Sequence, residues 1–570
     1  MTVGIERYVQ WIAEAHGVAG HTTLPDGRVV YSAYRDGDYE LCTPETQLTD
    51  VDGDITAPEW LDGRETILAL RDVEGNERHD LVEVVPETGE VTPILDDEYL
   101  IASPRQNPSD PGQIAFVSNR DGSLDLYTVA VESGAVSKLS EVDESVGGFS
   151  WAPDGTQLVY QAGYFVDESL RLVDLASGTD ELLIDEPDSE QSLTYGDDGH
   201  WAWSEAGILL TTNHETGFRE IAVADADGEY DLLFVNERDT FDARWTADGD
   251  VVFVESRGGD HAVRRLSEGE VTTVEPSGFN TGLTPRADGV YYQHFSTETA
   301  GDLDRDGETV VPEGQVDIPT VAPEEVTYES FDGQEIAARL YTPAGEPVAG
   351  VVKPHGGPAA KHFNRLDLIA QTLVERGFQV LAPDFRGSIG YGRDFRTAND
   401  RDFGGGDLTD VVTGAAYLRD IGRSRVGITG VSYGGYLTLM GVGSTDAFDA
   451  GASVCGIVNW TTTVENSRGY LADYAHEKMG GTPDERSAFY RERSPISYVD
   501  DMDVPLLIVQ GANDPRVPQS EADQLVSSLD EREIPHEYVL FEDEGHGIIR
   551  TTNRVEYVSR VSSFFEAHLS

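Results

Sequence analysis

Ser432 lies in Gly430-Val431-Ser432-Tyr433-Gly434-Gly435, directly after the apolar run Val426-Gly427-Ile428-Thr429. A serine hydroxyl is a weak nucleophile until a base takes its proton. A strand running into a G-x-S-x-G turn exposes that hydroxyl at the strand's end, and the turn is so sharp that bulky neighbours would block it. His546 is the candidate base. It lies in Glu544-Gly545-His546-Gly547, after the apolar run Tyr538-Val539-Leu540-Phe541, and its flanking glycines leave the ring room to reach Ser432. Its task would be to accept the serine proton and return it to the leaving group. Asp514, after Leu506-Leu507-Ile508-Val509, would orient His546 and stabilise the imidazolium. His355, His362 and His536 are less suitably placed: two precede the nucleophile and one starts a strand. Among 105 acidic residues chemistry alone does not single out Asp514, and Asp543 competes, although it lies too close to His546 to come readily from a neighbouring strand.

Acyl transfer also needs hydrogen-bond donors where the oxyanion forms. His355-Gly356-Gly357-Pro358 follows an apolar strand, and a glycine loop there presents a backbone N–H towards the nucleophile; the N–H of Tyr433 is the second candidate. Nucleophile, acid and base occur in the order Ser, Asp, His, as in the α/β-hydrolase arrangement. The surrounding pattern agrees. Val348 to Lys353, Gln379 to Pro383, Val426 to Thr429, Ser453 to Val458, Pro505 to Val509 and Glu537 to Phe541 read as buried strands. Leu366–Arg376, Asp407–Arg419, Tyr433–Gly441, Gln519–Asp530 and Arg554–His568 read as helices between them. Such alternation predicts a parallel sheet with helices on both faces.

The texture differs from about residue 20 to 315, where short β-branched and aromatic runs alternate with Asp-Gly turns. The clearest unit is Trp151-Ala152-Pro153-Asp154-Gly155-Thr156-Gln157-Leu158-Val159-Tyr160; another is Trp245-Thr246-Ala247-Asp248-Gly249-Asp250-Val251-Val252-Phe253. Seven such copies occur, spaced by about 40 residues, the signature of a seven-bladed β-propeller, with an array of β-sandwiches as the alternative. Before it, apolar residues at 5, 8, 9 and 12 predict a short amphipathic helix. The expected organisation is an N-terminal helix over 1–18, a β-propeller over 19–318 and an α/β-hydrolase domain over 319–570.

The formal charge is −65, from 105 acidic and 40 basic side chains, only four of the latter lysines. The acids are spread along the chain, so this is no acidic tail, and phosphate repulsion argues against a nucleic-acid partner. Self-repulsion on this scale weakens a compact state in dilute buffer. At about 1 M salt the Debye length falls to roughly 3 Å, which screens it. The expectation is a protein of a salt-rich cytoplasm, that of an extreme halophile. Cys42 and Cys455 fall in different domains and read as buried structural thiols. With no signal-like N-terminus and no apolar run near the 18 or so residues of a membrane span, a cytoplasmic location away from membranes is expected.

His355-Gly356-Gly357-Pro358, Asp384-Phe385-Arg386-Gly387-Ser388-Ile389-Gly390-Tyr391-Gly392, Gly406-Asp407-Leu408-Thr409-Asp410, Gly430 to Gly435, Asp514-Pro515-Arg516-Val517-Pro518 and Glu544 to Gly547 together resemble the prolyl oligopeptidase family of serine peptidases, especially its acylaminoacyl-peptidase and dipeptidyl-peptidase-like branch. The resemblance spans about 330–570; the propeller half is similar only in architecture. It implies Ser432, Asp514 and His546 as a catalytic triad, the N–H groups of Gly357 and Tyr433 as an oxyanion hole, and Arg516 as a holder of a substrate carbonyl, a task suited to its several donors. It implies an oligopeptide substrate, a propeller that filters substrates by size, and an N-terminal helix packed on the hydrolase domain. No residue matches a free-amine-binding acidic pair, so dipeptidyl and acylaminoacyl release both stay open. No cofactor or resident metal is expected, and a homo-oligomer is compatible with the sequence. Asp302-Leu303-Asp304-Arg305-Asp306-Gly307 with Glu313 fits a calcium-loop pattern on paper. It lacks flanking helices and contains Pro312, so a solvated acidic turn is the better reading. The alternatives to a peptidase are an esterase on the same fold and a propeller interaction protein with an inactive hydrolase domain.

Overall fold

The computed structural model describes residues 4–163, 168–186, 189–193, 202–466 and 470–570. The chain forms two compact units. One comprises Met1–Ala15, Val316–Ser467 and Tyr474–Ser570; the other comprises His16–Gln315 and Arg468–Asp473.

The second unit is a succession of sheets whose strands pair antiparallel, apart from one parallel link of His261 to Phe279. A three-stranded sheet of His21–Thr23, Val29–Arg35 and Asp38–Cys42 is followed by a four-stranded one of Asp54–Leu61, Thr66–Asp72, Asp80–Val84 and Val91–Leu95, and the pattern continues to Glu308–Val311. The turn residues make the hairpins. Between Val146–Trp151 and Gln157–Ala162, the N–H of Gly155 donates to Ala152 O at 2.9 Å and that of Thr156 to the Asp154 carboxylate at 3.0 Å. Gly155 stands at φ +70°, where a side chain would be strained. Neighbouring sheets bury one another: Ala115, Val117 and Leu126 pack in one cluster with Trp151, Leu158 and Tyr160 of the next sheet. Sheets that stack in sequence in this way make a β-propeller. The acidic stretch from Asp302 lies in a hairpin of Thr299–Arg305 against Glu308–Val311. Glu313 there accepts from Arg35 at 2.7 and 3.1 Å and from the Tyr31 hydroxyl at 3.0 Å, so its carboxylate is already engaged in an ion pair.

The first unit holds one eight-stranded sheet. Its strands in chain order are β1 (Glu324–Glu329), β2 (Glu335–Tyr341), β3 (Gly350–Val352), β4 (Gln379–Pro383), β5 (Val426–Val431), β6 (Ala450–Val454), β7 (Leu506–Gly511) and β8 (His536–Phe541). Across the sheet they run β1-β2-β4-β3-β5-β6-β7-β8, antiparallel only at β1–β2 and β2–β4. The central strands are buried from end to end, as a sheet covered on both faces requires. Helix α1 (Ile5–Ala13) belongs to this unit and buries Tyr8, Val9, Ile12 and Ala13. Val9 shares a core with residues of α2 (Leu368–Glu375) and of α6 (Thr551–Leu569), including Val558, Val561 and Phe565. Each such side chain contributes about 1.5–3 kcal/mol by burial. Between them in sequence lie α3 (Gly406–Asp420), α4 (Tyr433–Ser444) and α5 (Gln519–Glu531).

Two expectations need correction. The strand expected over Ser453–Val458 is β6, three residues earlier, because Cys455 turns into positive φ, +46°, and ends it. Ile457 and Val458 owe their apolar character to burial in the loop beyond. The helix expected from Leu366 begins at Leu368, since the Asp367 carboxylate caps it by accepting from the N–H of Ala370 at 2.9 Å.

Candidate active site

The carboxyl ends of β5, β6, β7 and β8, which are adjacent in the sheet, are followed by Ser432, Cys455, Asp514 and His546. In open α/β sheets this edge is where ligands bind.

Ser432 stands between β5 and α4 with φ +58° and ψ −119°, a conformation that costs a non-glycine residue on the order of 1–3 kcal/mol. Its backbone is held at both ends: its N–H donates to Val454 O and its carbonyl accepts from Tyr436 N–H, each at 2.9 Å. The glycines of the motif are there for space. A Cβ on Gly430 would lie 2.5 Å from the Gly434 carbonyl carbon, and one on Gly434 would lie 2.4 Å from the Pro354 carbonyl oxygen. Those approaches bring α4 against the His355-Gly356-Gly357-Pro358 loop. A Cβ on Gly356 would sit 3.4 Å from that of Ser432, so the loop borders Ser432 directly. Tyr433 opens α4, where the first N–H groups have no partner within the helix and face whatever lies before it.

Asp514 and His546 are brought together. His546 Nδ1 lies 2.9 and 2.8 Å from the two Asp514 carboxylate oxygens. The Asp514 side chain is fully buried, and it also accepts from the backbone N–H groups of Arg516 and Val517, each at 2.9 Å. The His546 loop is tied down on its other side by Glu544. This buried carboxylate accepts from the N–H groups of Ile549 and Arg550, each at 3.0 Å, and from the Asn553 amide at 2.8 Å. The sequence signals Glu544 only by its place two positions before His546 in the same motif. Asp543, the competing acid, instead meets the Asn553 amide at 2.9 Å and the Arg550 guanidinium at 3.5 Å.

The rival histidines are engaged elsewhere. Burial lowers His355 to about 4, so its imidazole is neutral; Nδ1–H donates to Gly356 O at 2.7 Å, and Nε2 lies 2.8 Å from the oxygen of Ser388, whose hydroxyl is also 2.6 Å from Phe385 O. Its ring stacks on Phe385 with centroids 4.2 Å apart. Burial also holds His362 well below the usual histidine range, and its Nε2–H donates to Lys353 O at 2.8 Å. His536 Nδ1–H donates to Ile534 O at 2.9 Å. Arg516 is exposed on the Asp514 loop.

The other motifs brace this edge. Arg386 donates to Asp410 through Nε at 2.8 Å and Nη2 at 2.9 Å, and to both oxygens of Asp332 at 3.1 Å. Asp384 accepts from the N–H of His362 at 2.7 Å and from the Tyr391 hydroxyl at 2.5 Å. The Tyr433 hydroxyl donates to the buried Asp407 carboxylate, whose burial pushes it up to about 7. Among the described residues, no helix is long and apolar enough to cross a membrane.

Residues 364–570 match the prolyl oligopeptidase family. Dipeptidyl aminopeptidase BIII of Pseudoxanthomonas mexicana is 29% identical over 610 residues, covering 98% of this chain and 85% of that protein. The solved structure of a puromycin-hydrolysing peptidase of Mycobacterium tuberculosis has a TM-score of 0.84 at 20% identity, covering 99% of this chain and 96% of that one. An acylaminoacyl peptidase of Pyrococcus horikoshii has a TM-score of 0.74 at 19% identity, covering 98% and 97%. The two structures share this chain's fold.

Proposed function

Because this chain belongs to the prolyl oligopeptidase family of serine peptidases, we propose that it is an exopeptidase acting on short peptides through an acyl-enzyme on Ser432. The observation that carries the reading is the contact of His546 Nδ1 with both Asp514 oxygens, at the sheet edge where Ser432 is held in a strained turn.

In this reading Nδ1 keeps its proton on Asp514, so Nε2 presents a lone pair to Ser432. Ser432 Oγ attacks the scissile carbonyl and its proton passes to Nε2. The oxyanion rests against the N–H groups of Gly357 and Tyr433, in a site built before the charge appears. The imidazolium, stabilised by Asp514, then protonates the leaving amine. Water repeats the sequence to free the acyl group. Arg516, whose own N–H is anchored on Asp514, reaches for a carbonyl of the bound peptide.

The propeller has seven blades in this reading and serves as a size filter, a part that a small-ester hydrolase does not need. The released unit is a dipeptide, as the name of the Pseudoxanthomonas relative states for that protein, or an acylated residue, as the name of the Pyrococcus peptidase states for that one. A panel of chromogenic peptide amides, free and N-acylated, assayed beside Ser432→Ala, tests it. Serine-dependent amide cleavage is the expected result, and the better-cut terminus identifies the released unit. Cleavage of esters alone would move the reading to an esterase.

A further inference from the structure

Cys455 follows β6, between the nucleophile strand and the strand that leads to Asp514. It is fully buried, its φ is +46°, and its N–H donates to Val509 O at 2.8 Å. That turn aims its sulfur at Asp514: the Cys455 Sγ, one Asp514 carboxylate oxygen and one ring nitrogen of His546 all lie within 4.8 Å of one another. The ring nitrogen that faces this group is Nδ1, 2.8 Å from Asp514. Sulfur, nitrogen and oxygen in such a triangle are a donor set for a tetrahedral, borderline-soft cation, whose ligands stand about 3.5 Å apart.

We propose that Cys455, Asp514 and His546 form an inhibitory site for a divalent cation of the zinc and cadmium class, which holds the enzyme off by taking the imidazole nitrogen that catalysis needs protonated. Thiolate and carboxylate balance the two positive charges, and the imidazole stays neutral, so the buried site carries no net charge. The protons also balance. One proton, that of the thiol, is released to solvent. The single imidazole proton leaves Nδ1 for Nε2, because Nδ1 now binds the metal. His546 then points an N–H at Ser432 in place of a lone pair and takes no proton from it. No redox step is involved, and a chelator reverses the block.

The test titrates Zn2+ and Cd2+ into the full chain in nitrate salts, because chloride complexes both ions. Three quantities are read: the peptidase rate relative to each variant's own metal-free rate, the thiolate-to-cadmium charge-transfer absorbance, and the protons released. The absorbance is measured on Ser432→Ala protein, so it does not depend on turnover. The expected result is one ion and one proton per chain, with an absorbance lost in Ser432→Ala/Cys455→Ala and kept in Ser432→Ala/Cys42→Ala. The half-inhibiting concentration rises at least about tenfold in Cys455→Ala and Cys455→Ser, the scale of losing a metal-site partner. The serine variant serves if the alanine one does not fold. An absorbance or inhibition curve unchanged by either Cys455 substitution, or none in the folded parent, overturns the proposal. A normal absorbance in Ser432→Ala protein beside a folded parent that cleaves no peptide would instead overturn the peptidase reading alone.

Discussion

The Asp514 carboxylate faces His546 with both oxygens, at 2.9 and 2.8 Å from Nδ1, and two backbone N–H groups of its own loop keep it from turning away. This geometry dictates the tautomer: a carboxylate that can only accept keeps the proton on Nδ1. Asp514→Asn presents an amide there and allows the wrong tautomer, so kcat should fall by about 10⁴ with the fold intact. Asp543→Asn, which alters contacts to Arg550 and Asn553, should leave kcat within a few-fold. Steady-state kinetics of the two variants side by side decide between the acids. Equal losses would remove Asp514 from its role.

Ser432 at φ +58° gives a second test, because its backbone cost and its chemistry separate. Ser432→Ala keeps a Cβ, so the strain stays and only the nucleophile goes; turnover should drop at least 10³-fold with an unchanged melting temperature. Ser432→Gly removes both, and should be equally inactive but more stable by about 1 kcal/mol or more. Thermal unfolding of the three proteins measures this. A glycine variant no more stable than the alanine one would mean that the turn is not strained.

The elements that carry the candidate triad are legible in the sequence because each is local. A glycine-flanked serine between an apolar strand and a helix, and an acid and a histidine after later strands, need no knowledge of the sheet order. The hairpin of β1 and β2 was not read: β1 is largely exposed and rich in Glu, so it carries no apolar run. The short helices Trp460–Asn466 and Ser487–Glu492 were also missed, since one or two turns do not establish a period. From sequence, Cys455 belongs to an apolar run and has the character of a structural buried thiol. Its position beside Asp514 arises from β6 and β7 being neighbours in the sheet, a long-range pairing that no local pattern encodes.

Asp407 predicts a pH dependence of stability. Burial raises it to about 7, whereas in the unfolded chain it titrates near 4. Between those values the folded state holds a proton that the unfolded state has lost, so this group's contribution to stability falls as pH rises from about 4 to 7 and is constant outside that window. Asp407→Asn still accepts from the Tyr433 hydroxyl but has no proton to lose. Its stability relative to the parent should therefore climb across that window by a few kcal/mol and then level off. Denaturant unfolding at a series of pH values reads the difference directly. A constant difference would show that Asp407 stays ionised in the folded protein.

The charge of −65 makes the last prediction, a dependence on salt. The basic residues are too few to answer the acids, and many are already committed. Arg386 is shared by Asp410 and Asp332, Arg219 by Glu168 and Glu190, and Arg244 is paired with Asp242. The excess is repulsive in the compact state and is relieved by unfolding. Above about 1 M salt the Debye length is roughly 3 Å, shorter than most spacings between surface carboxylates, and the repulsion largely disappears. The melting temperature should accordingly rise steeply with potassium chloride, and activity should follow it. Acidification should substitute in part for salt: protonating surface carboxylates near pH 4–5 lowers the same net charge, so the salt needed for a given stability should shrink as pH falls towards that range. Melting curves over a grid of salt and pH test both halves. Full stability in dilute buffer at neutral pH would show that specific contacts outweigh the net charge.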